Sequence, residues 1–237
     1  SLPAVEAVLA AKADPAAALK RPLQALKALP GLVNMLPQAS RVRAEQATAV
    51  APVLQCRCKL ADLPQLVCWP MDGGPFITLP LVYSEDPAKP GADASNLGMY
   101  RVQLGGNEYG ADEVGLHYQI HRGIGAHHAR ALEMGKPLPV HIYVGGPPSL
   151  TVAAVMPLPE GLSELRFAGL LGGRRTEMAS VEGLPLPVLA QADFCISGHI
   201  MPGCKPEGPF GDHVGYYSLT HDFPVLKVDA VYHRQGA

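Results

Sequence analysis

The 237-residue chain is 48% apolar and 17% charged, with a formal net charge of −2. That length and apolar share support one large domain or two small ones around a real core, and the small net charge excludes the electrostatic footprint of a nucleic-acid binder. The five cysteines (56, 58, 68, 195 and 204) offer no zinc-ligand spacing and read as reduced thiols of a cytoplasmic protein, with no run of membrane-spanning length and no secretory leader pattern.

Residues 1–48 are rich in Ala, Leu and Lys. Leu9, Leu19, Leu23 and Leu26 fall on a rough helical stripe broken by Pro15, Pro22 and Pro30, so two or three short helices are expected in a partial N-terminal region. The remainder, 49–237, reads as one domain. Ala51–Leu63 alternates weakly, as a strand would. Asp72-Gly73-Gly74-Pro75 signals a turn before an apolar run to Val82. Met99–Leu104 and Gly115–Ile120 read as strands joined by a hairpin at Gly105-Gly106-Asn107. A helix is expected over His127–Met134, a strand over Val140–Val144, and helices over Leu150–Val155 and Glu160–Leu171. Strands at Met178–Val181, Val188–Phe194, Tyr216–Leu219 and Val225–Tyr232 complete the chain. Short strands, glycine turns and few helices describe a β-rich α+β fold.

One stretch concentrates chemistry: Glu207-Gly208-Pro209-Phe210-Gly211-Asp212-His213-Val214-Gly215-Tyr216-Tyr217. Two glycines and a proline between Glu207 and Asp212 force a sharp turn that can bring the two acids together. Paired carboxylates sharing a cation can hold different protonation states, as acid/base chemistry requires. By itself the stretch reads first as a glycine-rich surface turn with two solvated acids.

It resembles the signature of the UbiD family of reversible decarboxylases. Four further blocks occur in the family's order: Trp69 to Thr78, Asn96-Leu97-Gly98-Met99-Tyr100-Arg101, His121-Arg122-Gly123, and Met156-Pro157-Leu158-Pro159-Glu160-Gly161-Leu162-Ser163-Glu164. The resemblance covers about residues 60–237 and implies a split β-barrel FMN-binding domain that uses prenylated FMN. It implies Arg101 between Glu207 and Asp212 as the catalytic set, with Asp212 as proton donor. It also implies a Mn²⁺ held by Asn96, His121 and Glu164 on the flavin phosphate. An amide oxygen, an imidazole and a carboxylate suit such a hard cation better than zinc. K⁺ would sit at carbonyls of Ala154 to Met156. Cofactor contacts are expected from Met99, Tyr100, Arg101, Gln119, Ile120, His121, Arg122 and Gly123. Adjacent His127 and His128 point different ways on a helix and are expected to pack rather than ligate.

The implied reaction is reversible, non-oxidative decarboxylation of an aromatic or α,β-unsaturated acid, as in quinone biosynthesis or phenolic-acid breakdown. A flavin prenyltransferase would supply the cofactor, and homo-oligomerisation is expected. Family chains are longer, so the resemblance implies a sequence short of the C-terminal domain. Two other readings stay open: a flavin-holding module without turnover, and a split-barrel FMN oxidoreductase. One departure is visible. Where the family has E-x-V-x-E-G, this chain has Asp193-Phe194-Cys195-Ile196-Ser197-Gly198, from which changed surroundings rather than lost chemistry are expected.

Overall fold

The computed structural model describes residues 2–13, 31–158 and 162–237. Leu19, Leu23, Leu26, the three prolines at 15, 22 and 30, and the Pro159-Glu160-Gly161 step of the fourth block lie outside the described residues.

The elements in chain order are α1 (Leu2–Ala13), β1 (Gln38–Val42), α2 (Ala47–Val50), β2 (Cys56–Cys58), β3 (Phe76–Ile77), β4 (Leu81–Glu85), β5 (Ser95–Gly98), β6 (Arg101–Gln103), β7 (Glu113–His117), α3 (Gly123–Glu133), β8 (Leu138–Val144), α4 (Pro148–Val155), α5 (Glu164–Gly172), β9 (Glu177–Val181), β10 (Val188–Leu189), β11 (Phe194–Glu207) and β12 (His221–His233). A small sheet runs β1-β9-β10, and a nine-stranded sheet runs β3-β6-β7-β12-β11-β8-β4-β5, with β2 also pairing β12. The α+β class read from the sequence is therefore the class of the fold. The large sheet is not closed by hydrogen bonds: β5 stands at one end and β6 next to the other. Only Met99 and Tyr100 separate those two strands, and two residues reach at most about 10 Å across the junction. The sheet must therefore curl until its ends nearly meet.

Burial follows from the strand period of two. Leu81, Tyr83 and Tyr143 face a core shared with Leu150, Phe167, Leu170 and Met178. Val82, Val140 and Ile142 face a second core with Val102, Leu116, Ile124, Ile196 and Leu226. Strands β4 and β8 are thus covered on both sides, which is why their apolar runs are nearly continuous.

Several expectations change, among them the strand over Val188–Phe194, which is divided between β10 and the first residue of β11. Residues 38–42, read within the helical region, form a strand because they pair in parallel with β9. Ala51–Leu63 yields only the three-residue β2, flanked by single turns of tighter helix. Tyr216–Leu219 is not a strand: a bridge between Gly211 and Tyr217 closes a turn there. By contrast β11 runs fourteen residues through Pro202 and Gly203. Register shifts at Ser197/Gly198 and Ile200/Cys204 bulge the strand and absorb those breakers without ending the ladder.

Candidate active site

Glu207 ends β11 and Arg101 begins β6. The Glu207 carboxylate is completely buried and is gripped by both faces of the fork: Arg101 Nε donates to Oε1 at 2.7 Å and Nη2 to Oε2 at 2.6 Å. Bidentate pairing of this kind fixes geometry as well as charge. His117 ends β7 directly across the ladder from Arg101. Its Nδ1 lies 2.8 Å from Arg101 Nη2 and 3.1 Å from Glu207 Oε2, while its ring stacks on Phe223 at 3.8 Å. Phe210 and Phe76 flank the guanidinium, their ring centres 4.8 and 5.8 Å from Cζ. Burial alone would raise the Glu207 carboxyl, but hydrogen bonds from His117 and Arg101 hold it below the ordinary glutamate value.

The turn after Glu207 is held by a buried amide. Gln103 Oε1 accepts from Gly208 N at 2.8 Å, and its Nε2 donates to the carbonyls of Gly73 and Gly105 at 3.1 and 2.9 Å. Asn107 Nδ2 donates to Gly208 O at 2.7 Å. Gly73 is needed here because a Cβ would stand 2.0 Å from Gly208 O. Asp72 ties the far side, accepting from Gly211 N at 2.8 Å and Trp69 N at 3.0 Å.

Asp212 is placed differently. It lies two residues beyond Phe210, on a turn where Gly215 N donates to its carbonyl at 3.0 Å. Its half-exposed carboxylate pairs with His213 and accepts from Val214 N. The structure brings Glu207 and Arg101 together and leaves Asp212 on its own turn, with no hydrogen bond or ion pair to either among the described residues. The departing segment stands apart from this set: Asp193 pairs with Arg234, and buried Ser197 lies across the ladder from His141.

A second cluster forms around Asn96 on β5. Tyr100 Oη lies 3.2 Å from Asn96 Nδ2 and 3.3 Å from its Oδ1. A Cβ on Gly123, at the start of α3, would fall 2.1 Å from Asn96 Oδ1, so only glycine lets the amide sit there. One residue along, Leu97 N donates to Glu164 Oε2 at 3.3 Å. No basic side chain among the described residues hydrogen-bonds Glu164, and burial pushes its carboxyl up against the pull of backbone N–H donors. His121 lies exposed on the turn before α3, with no hydrogen bond among the described residues. Among them, no three His, Cys, Asp or Glu side chains cluster as a metal site. A hard cation nonetheless fits the donor set: a carboxylate raised by burial and an amide oxygen stand beside the helix N-terminus of α3, where phosphate is favoured.

Between the clusters opens a cleft of about 390 Å³ lined by Met99, Tyr100, Arg101, Gln119 and Arg122, together with His117, Tyr118 and the α4 residues Ala154 and Val155. The first five are expected cofactor contacts; Ile120, 85% exposed, and His121 stand on the adjoining turn. A flavin-sized pocket with a few convergent polar groups is a ligand site in kind. His127 and His128 pack internally, bonding Ser84 and Tyr118. Sequence reasoning missed His117 and Gln103. Both are cross-strand neighbours in the β6–β7 and β3–β6 ladders, a signal visible only once the register is known.

Residues 40–237 match the family model described as UbiD, 3-octaprenyl-4-hydroxybenzoate carboxy-lyase Rift-related domain. A Chlamydia pneumoniae protein, named as one subunit of a 4-hydroxybenzoate decarboxylase, is 46% identical over 179 residues, which is 75% of this chain and 30% of that protein. Among solved structures, the UbiD-class enzyme HmfF from Pelotomaculum thermopropionicum, in complex with FMN, aligns at a TM-score of 0.72 and 28% identity, over 87% of this chain and 46% of that one. The vanillic acid decarboxylase of Sedimentibacter hydroxybenzoicus aligns at 0.74 and 26%, over 87% and 44%. The chain spans less than a third of the length of the curated relatives it matches.

Proposed function

The chain belongs to the UbiD family, and on that premise we propose that it carries the active site of a reversible, non-oxidative decarboxylase acting on an aromatic or α,β-unsaturated acid. The observation that carries this reading is the fully buried Glu207 locked onto Arg101 at the mouth of the cleft. Hydride transfer from a flavin has no use for a sequestered carboxylate–guanidinium pair, so the geometry speaks against a plain FMN oxidoreductase.

Met99, Tyr100, Gln119 and Arg122 would line the flavin, with Ile120, His121 and Gly123 at its phosphate end. Asn96, Glu164 and His121 would hold Mn²⁺ on the phosphate. The C-terminal carbonyls of α4, Ala154 to Met156, would take K⁺, as helix C-termini favour cations. When bound, prenylated FMN supplies the electron sink that carbon needs as CO₂ leaves. Arg101 keeps Nη1 for the substrate carboxylate while Glu207 fixes its plane. Asp212 gives a proton to carbon after CO₂ departs, and takes one in the carboxylating direction. For that step its turn, hinged at Gly211 and Gly215, closes towards Arg101 from where it stands. HmfF has also been solved with prenylated FMN in an evolved dimeric form, which supports the cofactor and a self-associating assembly here, with a flavin prenyltransferase as supplier. The 4-hydroxybenzoate decarboxylase relative supports an aromatic acid.

The test is co-expression with a flavin prenyltransferase, anaerobic purification, and measurement of spectrum, bound-ligand mass and manganese, followed by CO₂ release from a panel of acids. Bound prenylated FMN, manganese and CO₂ release are expected. Bound cofactor without CO₂ release from any acid would favour the second reading, a flavin-holding portion of a longer enzyme, which the partial span of its relatives supports. Protein free of flavin and metal would overturn both.

A further inference from the structure

The turn that carries Asp212 is a small hairpin. Asp212 N donates to Tyr216 O at 2.9 Å, Gly211 bridges Tyr217, and Ser218 N donates to Phe210 O at 2.9 Å. These bonds fix the hairpin within itself. They do not fix its tilt, because it leaves β11 through Gly208, whose φ of +93° belongs to glycine's wide range.

The tilt is set from the turn before β3. Gly73 N donates to Pro209 O at 2.8 Å, and Met71 N to Tyr217 Oη at 3.3 Å. The Trp69 indole packs against Gly211, where a Cβ would stand 2.3 Å from its Cδ1. Asp72 joins the two segments. Its Oδ1 accepts from Gly211 N, the amide next to Asp212, at 2.8 Å. Its Oδ2 accepts from Trp69 N and Cys68 N at 3.0 and 3.2 Å. Of these ties only Asp72 carries a charge, and a charge-assisted bond is about twice as strong as a neutral one. Asp72 does not line the cleft.

We propose that Asp72 is a positioning residue: by holding Gly211 N it sets where the Asp212 carboxyl stands relative to Arg101, and it governs the proton step without touching substrate. An acid misplaced by about 1 Å loses about a hundredfold in rate. The assignment of the proton step to Asp212 rests on the decarboxylase reading; the seating of the hairpin by Asp72 rests on the geometry.

The test reads the junction and the reaction separately. Trp69 is the only tryptophan of the chain, so its fluorescence reports this junction alone. In Asp72→Ala the Gly211 amide should exchange about tenfold faster, the worth of one hydrogen bond to a charged group, and acrylamide should quench Trp69 more strongly. On flavin-loaded protein the same variant should lower kcat for CO₂ release about a hundredfold at unchanged KM, since Arg101 and Glu207 are untouched. In an Asp212→Asn background it should cost nothing further. Asp72→Asn, which has one acceptor oxygen where Asp72 has two, is the milder variant should Asp72→Ala fail to fold. In it, Gly211 exchange and kcat should be kept together or lost together. Wild-type exchange and quenching in Asp72→Ala overturn the proposal. So does a loss that adds in full to that of Asp212→Asn, which would make Asp72 a prop for the fold at large, and so does a change in only one of the two Asp72→Asn readouts. If wild-type loaded protein releases CO₂ from no acid, the decarboxylase reading falls, and Gly211 exchange and Trp69 quenching alone decide the seating by Asp72.

Discussion

Two carboxylates flank the run from Asn96 to Arg101, and the one with no exposed surface is the more acidic. Glu207 has no exposed side-chain surface, yet its carboxyl is held low. Glu164 is only partly covered, yet its carboxyl is pushed up. Exposure does not decide; partners do. Glu207 has a guanidinium and an imidazole within 3.1 Å, whereas Glu164 has only backbone N–H donors among the described residues. Among the described residues the first charge is met by side chains and the second by backbone donors alone.

The comparison breaks most visibly if Arg101 is removed. Arg101→Met strands a buried carboxylate, which costs about 3–5 kcal/mol; urea unfolding should show it, and a loss under about 1 kcal/mol would mean that Glu207 has other support. Next in size is the cation. Manganese at a hundredfold excess over its Kd should stabilise the chain by about 2.7 kcal/mol, read as a rise in Tm. Glu164→Gln should abolish that rise, and an unchanged response would move the metal elsewhere. Gln103→Leu leaves Gly208 N–H without its acceptor and should cost about 1–3 kcal/mol, with faster amide exchange at Gly208; unaltered exchange would show that Asn107 holds the turn alone.

The smallest effect is the sharpest in sign. A depressed carboxyl stabilises the fold above its unfolded pKa and loses that contribution as pH falls through the folded value. Glu207→Gln should therefore flatten the acid limb of the stability curve. A raised carboxyl does the reverse: its charge costs stability once pH exceeds the folded value, and the cost vanishes below the unfolded one. Glu164→Gln should raise the stability of metal-free protein at neutral pH and leave the acid limb alone. Parallel curves for the two variants would erase the distinction.

Much of this was legible in the residues. Glu207 and Arg101 lie in blocks whose glycines and aromatics are unusual enough to read, and the strand expected over Val140–Val144 is the core of β8, whereas the apolar run to Val82 meets only the start of β4. His117 was not legible. The Gly105-Gly106-Asn107 signal suggests a tight hairpin, but the ladder pairs Arg101 with His117 and Gln103 with Gly115, so the connection is much longer than that signal implies. Register, not composition, makes His117 the neighbour of Arg101. Strand β11 was hidden for the opposite reason: Pro202 and Gly203 look like a terminus, and a bulge against β12 carries them through. Asp212 shares a motif with Glu207 yet sits on its own turn, because five residues containing two glycines allow more than one path.

The near-meeting of the sheet's two ends at Met99 and Tyr100 decides where this chain tolerates being cut. A nick within the exposed 88–90 stretch, or new termini opened there by circular permutation, would separate β4 from β5 only along a connection that their own ladder already spans. A nick at the Met99–Tyr100 bond would sever one of two short ties between the ends of the sheet, the other being the 78–80 link from β3 to β4. The same scission chemistry applied about ten residues apart should leave the seam intact in one case and hold it by the 78–80 link alone in the other.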